Sequence, residues 1–172
     1  SLHLLTYGCN FFFRLSIHNL QKDGKIEELQ RAFAESTKKR IIRPKPFLGI
    51  VRATRTKSWI YDPGFVQEEE LKDSNGKVIV AKGTKVNPLA KLSWGRPLIF
   101  INGEDQDQID WAIKKAGKIV LVDGSPLELG KKHDRPIYFD QGGILCRKFA
   151  ITAVPAIIEQ ENKVLRVREV SL

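Results

Sequence analysis

The side chains with the strongest intrinsic reactivity are those of two cysteines, Cys9 and Cys146. Such a pair can form a disulfide in an oxidising compartment, or either thiol can act as a nucleophile where its pKa is lowered. Because the two cysteines lie far apart in the chain and Cys9 has an unusual apolar setting, we expect two free thiols, with a disulfide as the alternative. Two cysteines also exclude a disulfide-rich miniprotein and a four-cysteine zinc site.

The remaining candidates for chemistry do not form a recognisable site. The histidines, His3, His18 and His133, show no metal-ligand spacing. Glu68–Glu70 are consecutive, so in a strand they face alternate sides and do not converge on one metal. No nucleophile, base and orienting acid occur together. We therefore predict no catalytic, cofactor-binding or metal-binding residues.

A basic run, Lys38–Lys45, offers contacts to nucleic-acid phosphates. No aromatic residue interrupts the run, so a stacking platform for single-stranded nucleic acid is not expected. A solvated linker is the simpler interpretation, and we prefer it.

Aromatic residues are the other candidates for binding. Trp111 lies roughly opposite the apolar face of its predicted helix, so either the N-terminal part of the chain covers it or it contacts a partner protein. Trp59 and Tyr61 are expected to pack within a β-rich segment and are kept, with Trp111, as candidate partner contacts.

The composition suits one ordinary domain or two small domains that share a core. The chain has 172 residues, 42% of them hydrophobic, and a formal net charge of +9. The positive charge is compatible with nucleic acid, an anionic membrane surface or an acidic protein as partner. No segment has the roughly 20 apolar residues of a membrane-spanning helix. The sequence contains no Met, so we expect the translation start, and any secretory signal, to lie outside it.

Periodicity predicts a helix at Asp23–Thr37 and, because prolines follow, an exposed linker at residues 38–57. Strand-like runs on either side of Asn75-Gly76 predict a β-hairpin with a type I′ turn, in which both central residues have positive φ. This gives a small β-rich block at residues 58–96.

The segment from Pro97 onwards predicts a different architecture. Leu98–Ile101 and Lys118–Val122 are short apolar runs that flank a helix opened by Asp105 and Gln108, which together predict a parallel βαβ unit. A third strand at Pro136–Phe139 and a short helix at Ile144–Phe149 follow. The last two strands, around a turn at Glu161-Asn162, are predicted to form an antiparallel hairpin.

This order of elements, with Val-Pro-Ala at the start of the final hairpin, resembles the thioredoxin fold. The resemblance implies that the peptide bond between Val154 and Pro155 is cis, since the proline at this place in the fold usually is. Oxidoreductases of that fold carry Cys-x-x-Cys at the first strand–helix junction, where the helix N-terminus lowers the thiol pKa. Here the junction reads Asn102-Gly103-Glu104-Asp105. We therefore expect a thioredoxin-like fold without redox chemistry.

Several longer segments, in order along the chain, resemble the TraW family of periplasmic proteins from F-type conjugative type IV secretion systems. An opening Leu5–Gly8 fits the family, whereas the stretch Cys9–Ser16 departs from its usual longer polar sequence. The segments that carry the resemblance are SWIYDP (58–63), KDSNGKVI (72–79), KGTKVNPL (82–89), PLIFING (97–103), KIVLVDGSPL (118–127), RPIYFDQGG (135–143), FAI (149–151) and VPA (154–156).

The resemblance implies a non-enzymatic role in pilus assembly and mating-pair formation, in the periplasm. It also implies a thioredoxin-like partner, TrbC, and other type IV secretion assembly proteins, with no small-molecule substrate and no cofactor. The expected fold class is α/β, or α+β overall. The expected division is an N-terminal helix and basic linker (1–57), the β-rich block (58–96) and a thioredoxin-like domain (97–172). A thiol–disulfide oxidoreductase and a basic nucleic-acid-binding module remain the alternatives.

Overall fold

A computed structural model describes Glu35, Lys38, Lys39 and residues 41–172. These residues form a mixed α and β structure. The strands are β1 (Val51–Arg52), β2 (Lys57–Tyr61), β3 (Phe65–Val66), β4 (Leu71–Lys72), β5 (Val78–Val80), β6 (Lys85–Val86), β7 (Leu98–Asn102), β8 (Lys118–Asp123), β9 (Ile137–Phe139), β10 (Ala153–Val154), β11 (Ala156–Glu161) and β12 (Val164–Glu169). The α-helices after β7 are α1 (Gln106–Ile113), α2 (Pro126–His133) and α3 (Ile144–Lys148).

A six-stranded mixed sheet organises the described residues, with the strand order β2-β12-β11-β7-β8-β9. Strands β7, β8 and β9 are parallel, and Phe100 lies opposite Val120. Strand β11 runs antiparallel to both β7 and β12. The predicted βαβ unit and the predicted antiparallel hairpin are therefore confirmed. The parallel strands are nearly continuous apolar runs because both of their faces are covered.

Apolar side chains fill both faces of this sheet. Helix α1 places Ile109 and Ala112 on one face, against a layer that includes Ile119 and Leu121. The other face holds the larger cluster, with Phe100, Phe149, Ile151, Ile158, Leu165 and Val167 fully or almost fully buried. Alternate residues of each strand point to opposite faces, so neighbouring apolar residues serve different clusters.

Both ends of α1 are fixed by side chains. Asp105 accepts the backbone N–H groups of Asp107 and Gln108, as the predicted cap requires. At the other end the Arg135 guanidinium donates to three carbonyl oxygens, those of Ile113 at 3.2 Å, Lys115 at 3.4 Å and Gly117 at 2.7 Å. A cation at a helix C-terminus also interacts favourably with the helix dipole.

Residues 65–86 form two small two-stranded sheets, β3 with β6 and β4 with β5. The predicted Asn-Gly hairpin joins β4 and β5, but the predicted type I′ turn is wrong. Gly76 has a positive φ of 80°, whereas Asn75 is not among the residues with positive φ. The reason is local: the Asp73 carboxylate accepts the N–H groups of Asn75 and Lys77, both at 2.9 Å, which favours a type I turn followed by glycine.

The N-terminal helix extends further than its predicted end before Lys38, and that prediction is wrong. Lys38, Lys39 and Ile42 are helical. Lysine and isoleucine are tolerated in helices, and the helix ends only where Pro44 disfavours helical backbone at Arg43. The part of the predicted helix at 23–34 lies outside the described residues. Within the part that is described, no helix combines the length and apolarity needed to cross a membrane.

The predicted linker is partly folded onto the rest of the chain. Strand β1 pairs with β10, and Ala53 is buried. Strand β2 pairs along its whole length with β12, so the boundary expected between residues 57 and 58 falls within a strand of the main sheet. The division of the chain into three parts stays a prediction.

A buried carboxylate, that of Glu169, joins three parts of the sheet. Glu169 lies in β12 and is 1% exposed. Its Oε2 atom accepts the N–H groups of Thr152 and Ala153, both at 2.9 Å, and its Oε1 atom lies 3.1 Å from Nζ of Lys57. The carboxylate therefore fixes the backbone just before Pro155 and ties β10, β12 and β2 together.

We predict that Glu169→Ala lowers the free energy of unfolding by roughly 3 kcal/mol, because it leaves two backbone N–H groups without their acceptor and removes the ion pair with Lys57. Urea denaturation followed by tryptophan fluorescence measures this change. The control is Glu159→Ala, since Glu159 forms an exposed 3.5 Å ion pair with Arg168. The control should change the free energy of unfolding by less than about 0.5 kcal/mol. Equal effects of the two substitutions would contradict the role given to Glu169.

Candidate functional site at the carboxyl edge of the sheet

The first strand–helix junction lies at the edge of the sheet where the parallel strands end, the usual place for sites in parallel sheets. Its polar groups are largely bonded to one another. Gln108 is buried, its Oε1 accepts the N–H of Asn102 at 2.9 Å, and its Nε2 donates to Asp105 at 3.0 Å. The N–H of Glu104 donates to the Asn102 side chain at 2.8 Å. The junction is thus a rigid turn built from carboxylates and amides.

Gly103 allows this turn to lie directly against the end of β8. Its N–H donates to the carbonyl oxygen of Asp123 at 2.8 Å, and a Cβ atom on Gly103 would lie 2.7 Å from that same oxygen. Any larger residue would separate the junction from β8.

Residues 43–53, which we call the strap, cross this edge. Within the strap, β1 pairs in parallel with β10. Val51 N–H donates to the carbonyl of Thr152 at 3.1 Å, and Ala53 N–H donates to the carbonyl of Val154 at 2.8 Å. The strap therefore pairs with the same segment, Thr152–Val154, whose N–H groups at Thr152 and Ala153 donate to Glu169.

The strap also carries two arginines that bind the acidic side chains of the edge. Arg52 contacts Asp105 at 3.0 Å and Asp107 at 3.3 Å. Asp105 and Asp107 belong to the start of α1, where the positive end of the helix dipole stabilises carboxylates. One guanidinium thus joins β1 to the helix that follows the junction.

Arg43, the second of these arginines, bridges two helix starts. Its Nη1 donates a hydrogen bond to Glu104, before α1, and its Nη2 lies 3.5 Å from Glu128 in the first turn of α2. The hydrogen bond to Glu104 and the nearby negative charge raise the pKa of Arg43. We refer to Glu104, Asp105, Asp107 and Glu128 together as the acidic edge.

Phe47 anchors the middle of the strap. A Cβ atom at Gly143 would lie 2.2 Å from Cγ of Phe47, so the ring rests directly on the glycine backbone. Gly143 has a positive φ of 63°, which also favours glycine at this position. Arg147, on α3, lies over the Phe47 ring at 5.2 Å.

Cys146 lies on the buried face of α3 and is not available for thiol chemistry at this edge. Its side chain is fully buried, and its backbone N–H donates to Asp140 at 3.0 Å. Burial raises the pKa of the Cys146 thiol, and the adjacent Asp140 carboxylate raises it further. The thiol therefore stays protonated at neutral pH. Cys9 lies outside the described residues.

The other predicted site residues are spread over the structure. Pro155 is buried, and its peptide bond with Val154 is cis. Asn75 and Gly76 form the β4–β5 turn, remote in sequence from the acidic edge. Among the described residues no group of three or more histidine, cysteine, aspartate or glutamate side chains is arranged to hold a metal ion.

The aromatic candidates differ in how much internal contact they make. Trp59 donates its indole N–H to the carbonyl of Phe149 at 3.0 Å, and the Tyr61 ring meets the Phe149 ring edge-on at 4.8 Å. Both pack against the larger apolar cluster. Trp111 is half-buried beside the α1 cluster, and Nζ of Lys115 lies 4.6 Å from its ring centre. His133 is half-buried at the end of α2.

Arg43, Arg52 and Glu169 are the residues of this site that the sequence analysis missed. Arg43 lies in the basic run whose composition favours a solvated linker. Its acidic partners lie more than 60 residues later in the chain, so no local pattern signals the contact. The position of Glu169 is predictable from the sequence, because residues two apart in a strand face the same side and Glu169 follows the inward-facing Leu165 and Val167 at that spacing.

Because Cys146 is enclosed and protonated, we predict that its thiol reacts at least about 100-fold more slowly in the native protein than in the unfolded protein. A Cys9→Ser variant isolates this thiol, and Ellman's reagent with and without guanidinium chloride measures both rates at pH 8. Rapid stoichiometric reaction of the native variant would show that the thiol is accessible.

Comparison with known proteins gives one informative match. No family model matches the chain, and no solved structure matches it. The chain is 34% identical over 142 residues to Protein TraW of Escherichia coli (strain K12), covering 80% of this chain and 68% of that protein. The chain therefore belongs to the TraW family.

Proposed function

We propose that this chain is a non-enzymatic assembly protein of an F-type conjugative type IV secretion system, acting in pilus assembly and mating-pair formation. Membership of the TraW family supports the conjugative role. One observation carries the non-enzymatic part: the junction at Asn102–Asp105 contains carboxylates and amides, while Cys146 is fully buried. An edge of this kind can bind another protein. Among the described residues it has no exposed thiol that could attack a disulfide bond.

A thioredoxin-like arrangement of residues 97–172 is part of this proposal. It is supported by the order β8-β7-β11-β12, in which β7 and β8 are parallel and β11 is antiparallel to both of its neighbours. Strand β9 extends the sheet beyond β8 on one side, and β2 extends it beyond β12 on the other. In this interpretation β2 is a strand that the preceding block contributes to the C-terminal domain.

We propose the periplasm as the compartment, and a TrbC-like protein, with other type IV secretion assembly proteins, as partners. We expect a half-buried aromatic side chain to make the main contact with this partner. Of the aromatic candidates, Trp59 and Tyr61 are already engaged with Phe149. All three side chains are half-buried, but Trp111 packs beside the other apolar cluster, away from Phe149, so we assign it the contact with the partner.

The partner assignment predicts co-purification of the full chain with the TrbC-like protein encoded in the same conjugation system. Trp111→Ala should weaken the association by about tenfold or more, as expected for an aromatic residue at the centre of an interface. Isothermal titration calorimetry measures the affinity, and circular dichroism verifies that the variant is folded. The control is Leu127→Ala, an exposed apolar residue on α2. Absence of association between two folded proteins would contradict the partner, and equal effects of both substitutions would contradict the role of Trp111.

The non-enzymatic assignment predicts no catalysed reduction of insulin by dithiothreitol, since no described thiol is exposed. The wild-type chain and its Cys146→Ser variant should both match the uncatalysed rate. Turnover by the wild-type chain above that rate would contradict this part of the proposal and favour the oxidoreductase alternative.

A further inference from the structure

We propose that the acidic edge and the adjoining side of β10 form a docking site for an extended basic segment of a partner protein, and that the strap occupies this site in the isolated chain. The inference is independent of the conjugative role. The surface in question is the acidic edge with the adjoining side of β10, and the segment that fits it is extended and basic. Its basis is the chain's own residues 43–53, which show the backbone path and the charges that the site accepts.

The backbone part of the site does not depend on sequence. The carbonyl groups of Thr152 and Val154 accept the N–H groups of Val51 and Ala53 at 3.1 Å and 2.8 Å. Any extended segment can supply N–H groups with this spacing, as in recognition by addition of a β-strand. The same backbone segment is held in place by Glu169, which accepts the N–H groups of Thr152 and Ala153.

The charge on the site selects basic segments. The four carboxylates of the acidic edge all contact the two strap arginines, Arg43 and Arg52. Asp105, Asp107 and Glu128 belong to the starts of α1 and α2, and Glu104 directly precedes the Asp105 cap, so the backbone that carries these carboxylates is set by the two helices. A segment with one basic residue in the paired strand, at the place of Arg52, and another several residues before it, at the place of Arg43, would meet the same charges.

The contacts between the strap and the rest of the chain are few enough for a partner segment to replace the strap. Strand β1 has only two residues, whereas β2 pairs with β12 over five. Leu48 is 80% exposed and Val51 is 62% exposed, so these two side chains add little buried surface, and Phe47, Ile50 and Ala53 supply the apolar contacts of the strap. The arginine side chains are also about half exposed, and ion pairs at such sites weaken as salt screens them. Elements of this kind open before the core unfolds.

Peptide binding to the full chain tests the docking site. The probe is a fluorescein-labelled peptide with the sequence of residues 42–54, IRPKPFLGIVRAT. The protein variant is Arg43→Glu with Arg52→Glu, whose own strap is repelled by the acidic edge. Fluorescence anisotropy should show that this variant binds the peptide at least about tenfold more tightly than the wild-type chain, since the internal competitor is weakened.

Matched controls separate docking from general charge attraction. A variant with Lys131→Glu and Lys132→Glu makes the same change in net charge at the far end of α2 and should bind the peptide as weakly as the wild-type chain. A peptide in which both arginines are replaced by glutamate should bind to none of the proteins. Equal peptide affinities of the strap variant and the wild-type chain, or equal binding of the two peptides, would overturn the proposal.

A second measurement uses the unmodified chain and does not depend on a folded variant. Trypsin can cleave after Arg52 in the strap, whereas Pro44 and Pro46 protect the bonds after Arg43 and Lys45. Cleavage after Arg52 should become about fivefold faster or more between about 0.02 M and 0.5 M NaCl, because salt weakens the ion pairs of the strap. Cleavage after Lys82, in an exposed turn, is the reference for trypsin activity. A ratio of the two rates that is independent of salt would overturn the proposal.

Discussion

The buried carboxylate of Glu169 is the constraint on which the rest of the described structure depends. A charged group in an apolar interior is strongly unfavourable unless it is paired and hydrogen-bonded. Here the partners are two backbone N–H groups, of Thr152 and Ala153, and the ammonium group of Lys57. They belong to different parts of the chain, so satisfying one carboxylate fixes the position of β10 and brings β2 beside β12. The segment before Pro155 consequently has a defined outer side on which another strand can pair.

The elements that could be predicted from the sequence are those determined by short-range patterns. The apolar runs of β7 and β8, the Asp105 cap and the hairpin of β11 and β12 each depend on neighbouring residues, and the structure contains all of them. The turn at Asn75 differs from the predicted type I′ turn. Its type is set by the hydrogen bonds of the Asp73 side chain and not by the Asn-Gly pair alone. The helix extended past Lys38 because the first effective stop is Pro44.

The parts that could not be predicted depend on contacts between distant residues. A basic run followed by prolines has the composition of a linker, and nothing near Arg43 or Arg52 indicates that it is folded. The partners of these arginines lie 53, 55 and 61 residues away in the three described hydrogen bonds between their guanidinium groups and carboxylates. Such contacts become visible only when the parallel strands bring the starts of α1 and α2 to one edge. The same holds for Phe47, which needs Gly143 as its neighbour.

The charge of that edge follows from the architecture. Parallel strands joined by helices place the carboxyl ends of the strands and the N-termini of the helices together. Helix N-termini favour acidic caps and acidic first turns, and here they hold Asp105, Asp107 and Glu128. The positive end of a helix dipole is stabilised by negative groups, and in this chain carboxylates supply them. Once carboxylates occupy the edge, a cation is a suitable ligand, and the two arginines of the strap supply it. The negative charge at the helix starts and the arginines of the strap that bind it are therefore two results of one helix arrangement.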